Sequence, residues 1–189
     1  MAGDVKKRMI EGTVNLLAHR GLAATSFSEV LELTGAPRGS LYHHFPDGKD
    51  QLVASAVGLA GDRAMGFLNA LAGQSALEVT LRFLHLWREV LTRSQLKAGC
   101  AVLAVTVATD SPDLRQKTAE VFRGWRETLA ELLEKGGLAP AKASGFAALM
   151  IASTEGAVVL SRAEQSLDSF ELVAEQLLDR LRQLGATAG

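Results

Sequence analysis

Between Thr25 and Leu52 the chain reads TSFSEVLELTGAPRGSLYHHFPDGKDQL, a stretch that constrains the fold more than all the rest because it reads as two short helices joined by a tight turn. Ser26 and Ser28 are candidate caps for a helix carrying Phe27, Val30, Leu31 and Leu33, and Gly35 with Pro37 then forces the chain to turn. A second helix is expected from Arg38 to Phe45. Leu41 and Phe45 lie four apart on its inner face, which distributes Arg38, Gly39, Ser40, Tyr42, His43 and His44 toward solvent or a groove. Two helices crossing through a Gly-containing turn, the second polar and outward, form the helix-turn-helix arrangement.

Composition bounds what surrounds this motif. A chain of 189 residues suits one or two domains, and its 48% hydrophobic content is dominated by Ala and Leu over aromatic and β-branched residues, so an all-α fold is expected. Net charge is only -1. In the first fifty residues Lys6, Lys7, Arg8, Arg20, Arg38 and Lys49 are balanced by Asp4, Glu11, Glu29, Glu32, Asp47 and Asp50. Affinity for DNA must then come from placed contacts and helix N-termini, not from a broad excess of positive charge. The single cysteine, Cys100, excludes an internal disulfide and a thiolate metal cage, and it fits a reducing cytosol. The polar residues Glu11, Asn15, His19 and Arg20 interrupt any apolar run after the Lys6–Arg8 cluster, which argues against a signal peptide and for a cytoplasmic protein.

Helical periodicity continues along the chain. A first helix from about Val5 to Arg20 ends at Gly21, a residue suited to a left-handed cap, and packs under the helix-turn-helix. Pro46 and Gly48 break the recognition helix. A longer helix from about Lys49 to Leu71 then links the reader to the remainder, with further helices at about 75–94, 99–109, 112–135, 140–164 and 168–184. The expected organisation is a three-helix DNA-binding domain at 1–48, a larger helical ligand-binding and dimerisation domain at 49–185, about nine helices in all, and a disordered tail at 186–189. Residues 143–161 carry Glu155 as their only charge. Their length would allow a membrane span, but small polar residues, the central carboxylate and the lack of flanking aromatic anchors favour a helix buried on both sides of a soluble protein.

The stretch from Lys7 to Leu52 resembles the N-terminal domain of the tetracycline-repressor (TetR) family, through LLAHRGLAATSF at the end of the first helix, GSLYHHF in the recognition helix and Lys49 opening the next. The continuation PDGKDQL is most similar to the subgroup of exporter and resistance repressors related to the lincomycin-resistance regulator. The turn Leu33, Thr34, Gly35, Ala36, Pro37 departs from the Ala-rich, Val-Ser turn of many relatives. The resemblance implies a DNA interface of Thr25, Ser26, Arg38, Gly39, Ser40, Tyr42, His43, His44 and Lys49. In it Tyr42 and Lys49 approach phosphates, Thr25 and Ser26 lie where the preceding helix meets the backbone, and Arg38 and His43 reach base edges. It also implies a homodimer whose last two helices form an intersubunit bundle, here through Ala157, Leu160, Phe170, Val173, Leu177 and Leu181.

Apolar and aromatic residues on the central helices are candidates for an effector pocket: Phe67, Leu71, Leu84, Trp87, Leu91, Cys100, Leu103, Val107, Phe122, Trp125, Leu129, Met150 and Thr154. Their scarcity of charge favours a small lipophilic effector. Glu155 is compatible with facing either that cavity or a second subunit. Cys100 sits in an apolar run, where an inert core residue is the commoner reading than a redox switch. His85 and Glu89 lie four apart, but with no second pair no metal site or cofactor is expected. The function expected is a ligand-responsive regulator, most simply a repressor of an exporter or resistance gene. It would bind palindromic double-stranded operator DNA as a homodimer and leave it when the effector binds. The rival readings are a helical ligand-binding dimer that has lost DNA binding and a helical enzyme, although no catalytic constellation stands out.

Overall fold

The computed structural model describes residues 2–186, and among them the secondary structure is entirely helical. Nine helices follow one another: α1 (Ala2–Arg20), α2 (Phe27–Thr34), α3 (Arg38–His44), α4 (Lys49–Asn69), α5 (Ala76–Arg93), α6 (Ala101–Ala108), α7 (Pro112–Lys135), α8 (Pro140–Glu164) and α9 (Asp168–Ala186). Each expected helix is present, with ends displaced by at most a few residues. Of the tail expected at 186–189, residue 186 closes α9 and the others lie outside the described residues.

Two compact units result, Met1–Arg63 with Cys100–Phe122, and Ala64–Gly99 with Arg123–Gly189. The chain passes from one to the other within α4, after Gly99 and within α7.

In the first unit α1 packs against α2, α3 and α6. Met9, Leu16, Val30, Ala36, Leu41, Phe45 and Leu52 form its buried centre at the helix-turn-helix, and Val5, Ile10, Phe27 and Leu31 close its edges. The turn is set by local chemistry. Ser26, not Ser28, caps α2: its hydroxyl accepts from the Glu29 N–H at 3.2 Å, and the Glu29 carboxylate accepts from the Ser26 N–H at 3.4 Å. At the other end Gly35 takes φ 63°, left-handed backbone that costs a residue without a Cβ little, and its N–H reaches the Leu31 carbonyl at 2.9 Å.

In the second unit α8 packs along α9, and α5 packs on both. Helix α8 is long and apolar enough to cross a membrane by length and composition. Yet Ala143, Phe146, Ala147, Met150, Thr154, Glu155, Ala157, Val158 and Ser161 are buried on it, so it is a core helix of this unit. Arg88 of α5 ties α9 down by two parallel bonds to Glu171, both 2.6 Å, while its guanidinium lies 5.8 Å from the centre of the Phe170 ring.

Candidate nucleic-acid interface and effector cavity

Helix α3 is held by two side chains, Leu41 and Phe45, both fully buried. Arg38, Gly39, Tyr42 and His43 are exposed, and Ser40 and His44 are half-buried. Pro37 starts the helix with φ -63° and ψ 138°, and its carbonyl accepts from both the Ser40 N–H, at 3.0 Å, and the Ser40 hydroxyl, at 2.6 Å. Tyr42 is 66% exposed but not loose: its ring meets Phe27 of α2 edge-on at 6.1 Å, which aims the phenol outward from a fixed base. Arg8 supports the same region by donating to the Thr34 carbonyl at 3.2 Å. Of the six candidates on α3, four are thus exposed, while Ser40 is half-buried and His44, also half-buried, has its ring edge-on to Phe45 at 6.5 Å.

The other three candidates sit differently. Thr25 is 1% exposed and gives its hydroxyl to the Gly21 carbonyl at 2.8 Å, so its side chain serves the α1–α2 connection. Ser26 is exposed, and its hydroxyl is the α2 cap. Lys49 is half-buried and its ammonium donates to the Leu22 carbonyl at 3.1 Å, which fastens the start of α4 to the loop after α1.

A small, partly open cavity of about 50 Å³ lies within the second unit. Ala64, Phe67 and Leu68 of α4, Phe83, Leu86 and Trp87 of α5, Trp125 of α7, and Ile151 and Glu155 of α8 line it. Of the sequence candidates it gathers Phe67, Trp87 and Trp125. Leu71, Leu84, Leu91, Leu129, Met150 and Thr154 are instead buried away from its wall, and Met150 presents its sulfur to the Thr80 hydroxyl at 3.9 Å. Cys100, Leu103, Val107 and Phe122 belong to the first unit. There Cys100 caps α6 by accepting from the Leu103 N–H, and Val107 is 74% exposed. Glu155 lies in the cavity wall at 7% exposure. Glu89, paired in sequence with His85 as a conceivable metal face, bridges to Arg93 at 2.5 Å, and among the described residues no group of three or more His, Cys, Asp or Glu is placed to hold a metal.

A third feature is a set of exposed apolar residues on α8 and α9. Leu149, Val159 and Leu160 of α8 and Leu172 of α9 are between 41% and 64% exposed. A shallow groove beside them is lined by Leu149, Ser153, Leu172, Val173, Gln176 and Leu177. Of the residues expected at a subunit interface, Val173 and Leu177 line this groove and Leu160 is exposed, while Ala157, Phe170 and Leu181 are buried within the protomer.

Comparison with known proteins bears on this layout in both halves. Residues 9–56 match the N-terminal domain of bacterial regulatory proteins of the tetR family, and residues 76–176 match the C-terminal domain of LmrA/YxaF-like transcriptional regulators. An HTH-type transcriptional regulator of Mycobacterium tuberculosis H37Rv is 34% identical over 183 residues, 93% of each chain. The chain belongs to the TetR family. Bacillus subtilis contributes two further relatives, the HTH-type regulators YxaF, 28% identical over 97% of this chain and 98% of its own, and LmrA, 25% identical over 84% and 87%. A TetR regulator from Chloroflexus aurantiacus is 28% identical with a TM-score of 0.80, covering 96% of each chain. The regulatory protein TetR from Rhodobacter sphaeroides has a TM-score of 0.83 at 20% identity, over 92% of this chain and 97% of that one, and shows the shared fold.

As a TetR-family protein this chain is a helix-turn-helix transcriptional regulator and not an enzyme, and the family acts on operator DNA as homodimers. Sequence reasoning missed Ala64, Leu68, Leu86 and Ile151 of this TetR cavity. A helical period distinguishes inner from outer positions, but it carries no signal for which inner residues border a void. Leu149 and Val159 were missed at the open face for the complementary reason, since an apolar residue on an apolar helix reads as core.

Proposed function

We propose that this TetR-family protein is a cytoplasmic, homodimeric repressor that leaves its operator when a small lipophilic effector enters the cavity of the second unit. The observation that carries the DNA reading is the outward polar face of α3, with Arg38, Ser40, Tyr42 and His43 accessible over a rigid Leu41 and Phe45 base. Arg38 and His43 are its base-edge candidates, and Tyr42 and Lys49 its phosphate candidates. Two copies place two such helices on half-sites of a palindrome about 34–36 Å apart, or a modest multiple of that. The exposed Leu149, Val159, Leu160 and Leu172 supply an apolar face of the kind a second subunit covers. Effector binding lowers operator affinity to the extent that the effector prefers the released conformation, tenfold for about 1.4 kcal/mol. The subgroup resemblance makes an exporter or resistance gene the favoured target.

The test is a fluorescence-anisotropy titration of the purified protein against the DNA upstream of its own gene, with unrelated DNA as control, at two salt concentrations. Tight, sequence-dependent binding that weakens with salt is expected, and addition of the true effector should reverse it. Binding equal to the control would favour a ligand-binding dimer without a DNA role or an operator elsewhere. A genome-wide pull-down with the same protein separates the two.

A further inference from the structure

We propose that Gly12 and Arg8 of α1 are positioning residues for DNA reading: together they seat Thr34, the last residue of α2, and so fix the angle at which α3 leaves the turn. This rests on the reading of α3 as the operator-contacting helix and adds the residues that set its alignment.

The seat holds Thr34 in two ways. Gly12 is buried within α1, and a Cβ built on it would lie 2.5 Å from the Thr34 methyl carbon, Cγ2, and 3.6 Å from Leu33 Cδ2. Close-packed carbons stand about 3.5–4 Å apart, so the Thr34 methyl fills the room that the missing side chain leaves. Inside a helix alanine would otherwise serve better than glycine. Four residues earlier, Arg8 Nη1 donates to the Thr34 carbonyl at 3.2 Å, satisfying one of the acceptors that the end of α2 leaves open. The Asp4 carboxylate, 3.6 Å from Arg8 Nε, offsets the charge this arginine would bring to a phosphate. The methyl does not swing clear freely, because the Thr34 hydroxyl donates to the Val30 carbonyl at 2.6 Å and holds the rotamer.

What Thr34 transmits is position. Gly35, Ala36 and Pro37 separate it from Arg38, and each is fixed: the Gly35 N–H donates to the Leu31 carbonyl at 2.9 Å, Ala36 is buried, and Pro37 has its φ locked at -63°. At the far end of α3, Leu41 and Phe45 are anchored in the core. A shift of Thr34 therefore tips the start of α3, which carries the exposed Arg38 and Gly39, and the N-terminal residues of a reading helix are those that meet base edges.

The experiment lets the full-length natural protein and each variant select from a random-sequence duplex pool. Anisotropy with the duplex that the natural protein selects then gives affinities at several salt concentrations. Gly12→Ala drives a Cβ into the Thr34 methyl and should bind that duplex about tenfold more weakly, the worth of one misaligned base contact, while selecting a degraded sequence. Thr34→Ser removes the methyl, so the double variant Gly12→Ala, Thr34→Ser should recover the natural sequence and most of the affinity. Weak binding that the serine does not rescue overturns the seat, as does Gly12→Ala with natural affinity and preference. Should Gly12→Ala not fold by circular dichroism, Arg8→Met, at an exposed position, decides. It should relax the selected sequence and leave the slope of log affinity against log salt unchanged; a slope smaller by about 0.9 marks a lost phosphate contact and overturns the positioning role. A natural protein that selects no sequence overturns the reading of α3 and the proposal with it.

Discussion

The Lys49 ammonium donates to the Leu22 carbonyl oxygen at 3.1 Å, across 27 positions of sequence, and so braces the first turn of α4 against the loop that leaves α1. Its position at the start of α4 suits a phosphate contact, yet one of its three protons is already committed inside the domain.

Replacing this lysine therefore acts on folding and on DNA together. Lys49→Ala is expected to lower the melting temperature, by the loss of about 1 kcal/mol for a partly exposed charge-assisted bond, and to weaken operator binding. Arg38→Ala, at an exposed position on α3, should leave the melting temperature within error and weaken operator binding with relaxed sequence preference. Thermal denaturation and anisotropy on both variants check this.

Two glycines should answer oppositely to Ala. A Cβ on Gly136 would lie 2.4 Å from the Ala76 backbone nitrogen, which itself donates to the Gly136 carbonyl at 2.9 Å, so Gly136→Ala should destabilise the protein by about 1–3 kcal/mol. Gly39, within α3, has nothing within 4 Å of the same position. Gly39→Ala should stabilise the free protein by up to about 1 kcal/mol through helix propensity and weaken operator binding where α3 approaches bases closely. Urea denaturation gives the first two values and anisotropy the third.

The Arg88–Glu171 pair should make part of the stability depend on acid. The hydrogen bond from Arg88, followed by its charge, holds the Glu171 carboxyl below its ordinary value against the opposing effect of burial. A depressed folded pKa means that the contribution is complete above the unfolded value of about 4.3 and is lost as pH falls through the folded value. Both side chains are about two-fifths exposed, so solvent screening limits the pair to about 0.5–1 kcal/mol. Glu171→Gln should cost that much at pH 7 and progressively less below pH 4, as denaturant melts across pH will read.

At the α8–α9 surface, position decides what a charge does. Leu160→Asp, at a side chain 48% exposed, should give a folded monomer with weakened operator binding. Leu177→Asp, 3% exposed inside the protomer, should unfold the second unit instead. Light scattering coupled to size-exclusion chromatography, with circular dichroism, distinguishes these outcomes.

The helices were legible because their signals are local. Gly21 and Gly35 adopt the left-handed backbone that a helix end favours, Pro112 and Pro140 open α7 and α8, and Leu41 with Phe45 turns the polar side of α3 outward. The family was legible for the same reason, since GSLYHHF and Lys49 occupy one short continuous stretch. Thr25 shows what such reasoning leaves out: its side chain is 1% exposed, and its hydroxyl donates to the Gly21 carbonyl four residues earlier.

From the sequence alone came the all-helical class, the helix order and the reading helix with its outward residues, all properties that neighbours within about four positions decide. Tertiary structure alone decided that Phe67, Trp87, Trp125 and Glu155, drawn from four helices, share one cavity. It also decided that Phe170 and Leu181 turn inward while Leu149, Val159, Leu160 and Leu172 stay open. A helical period assigns a residue to a face, but whether that face meets a neighbour, a void or solvent depends on how helices distant in sequence pack.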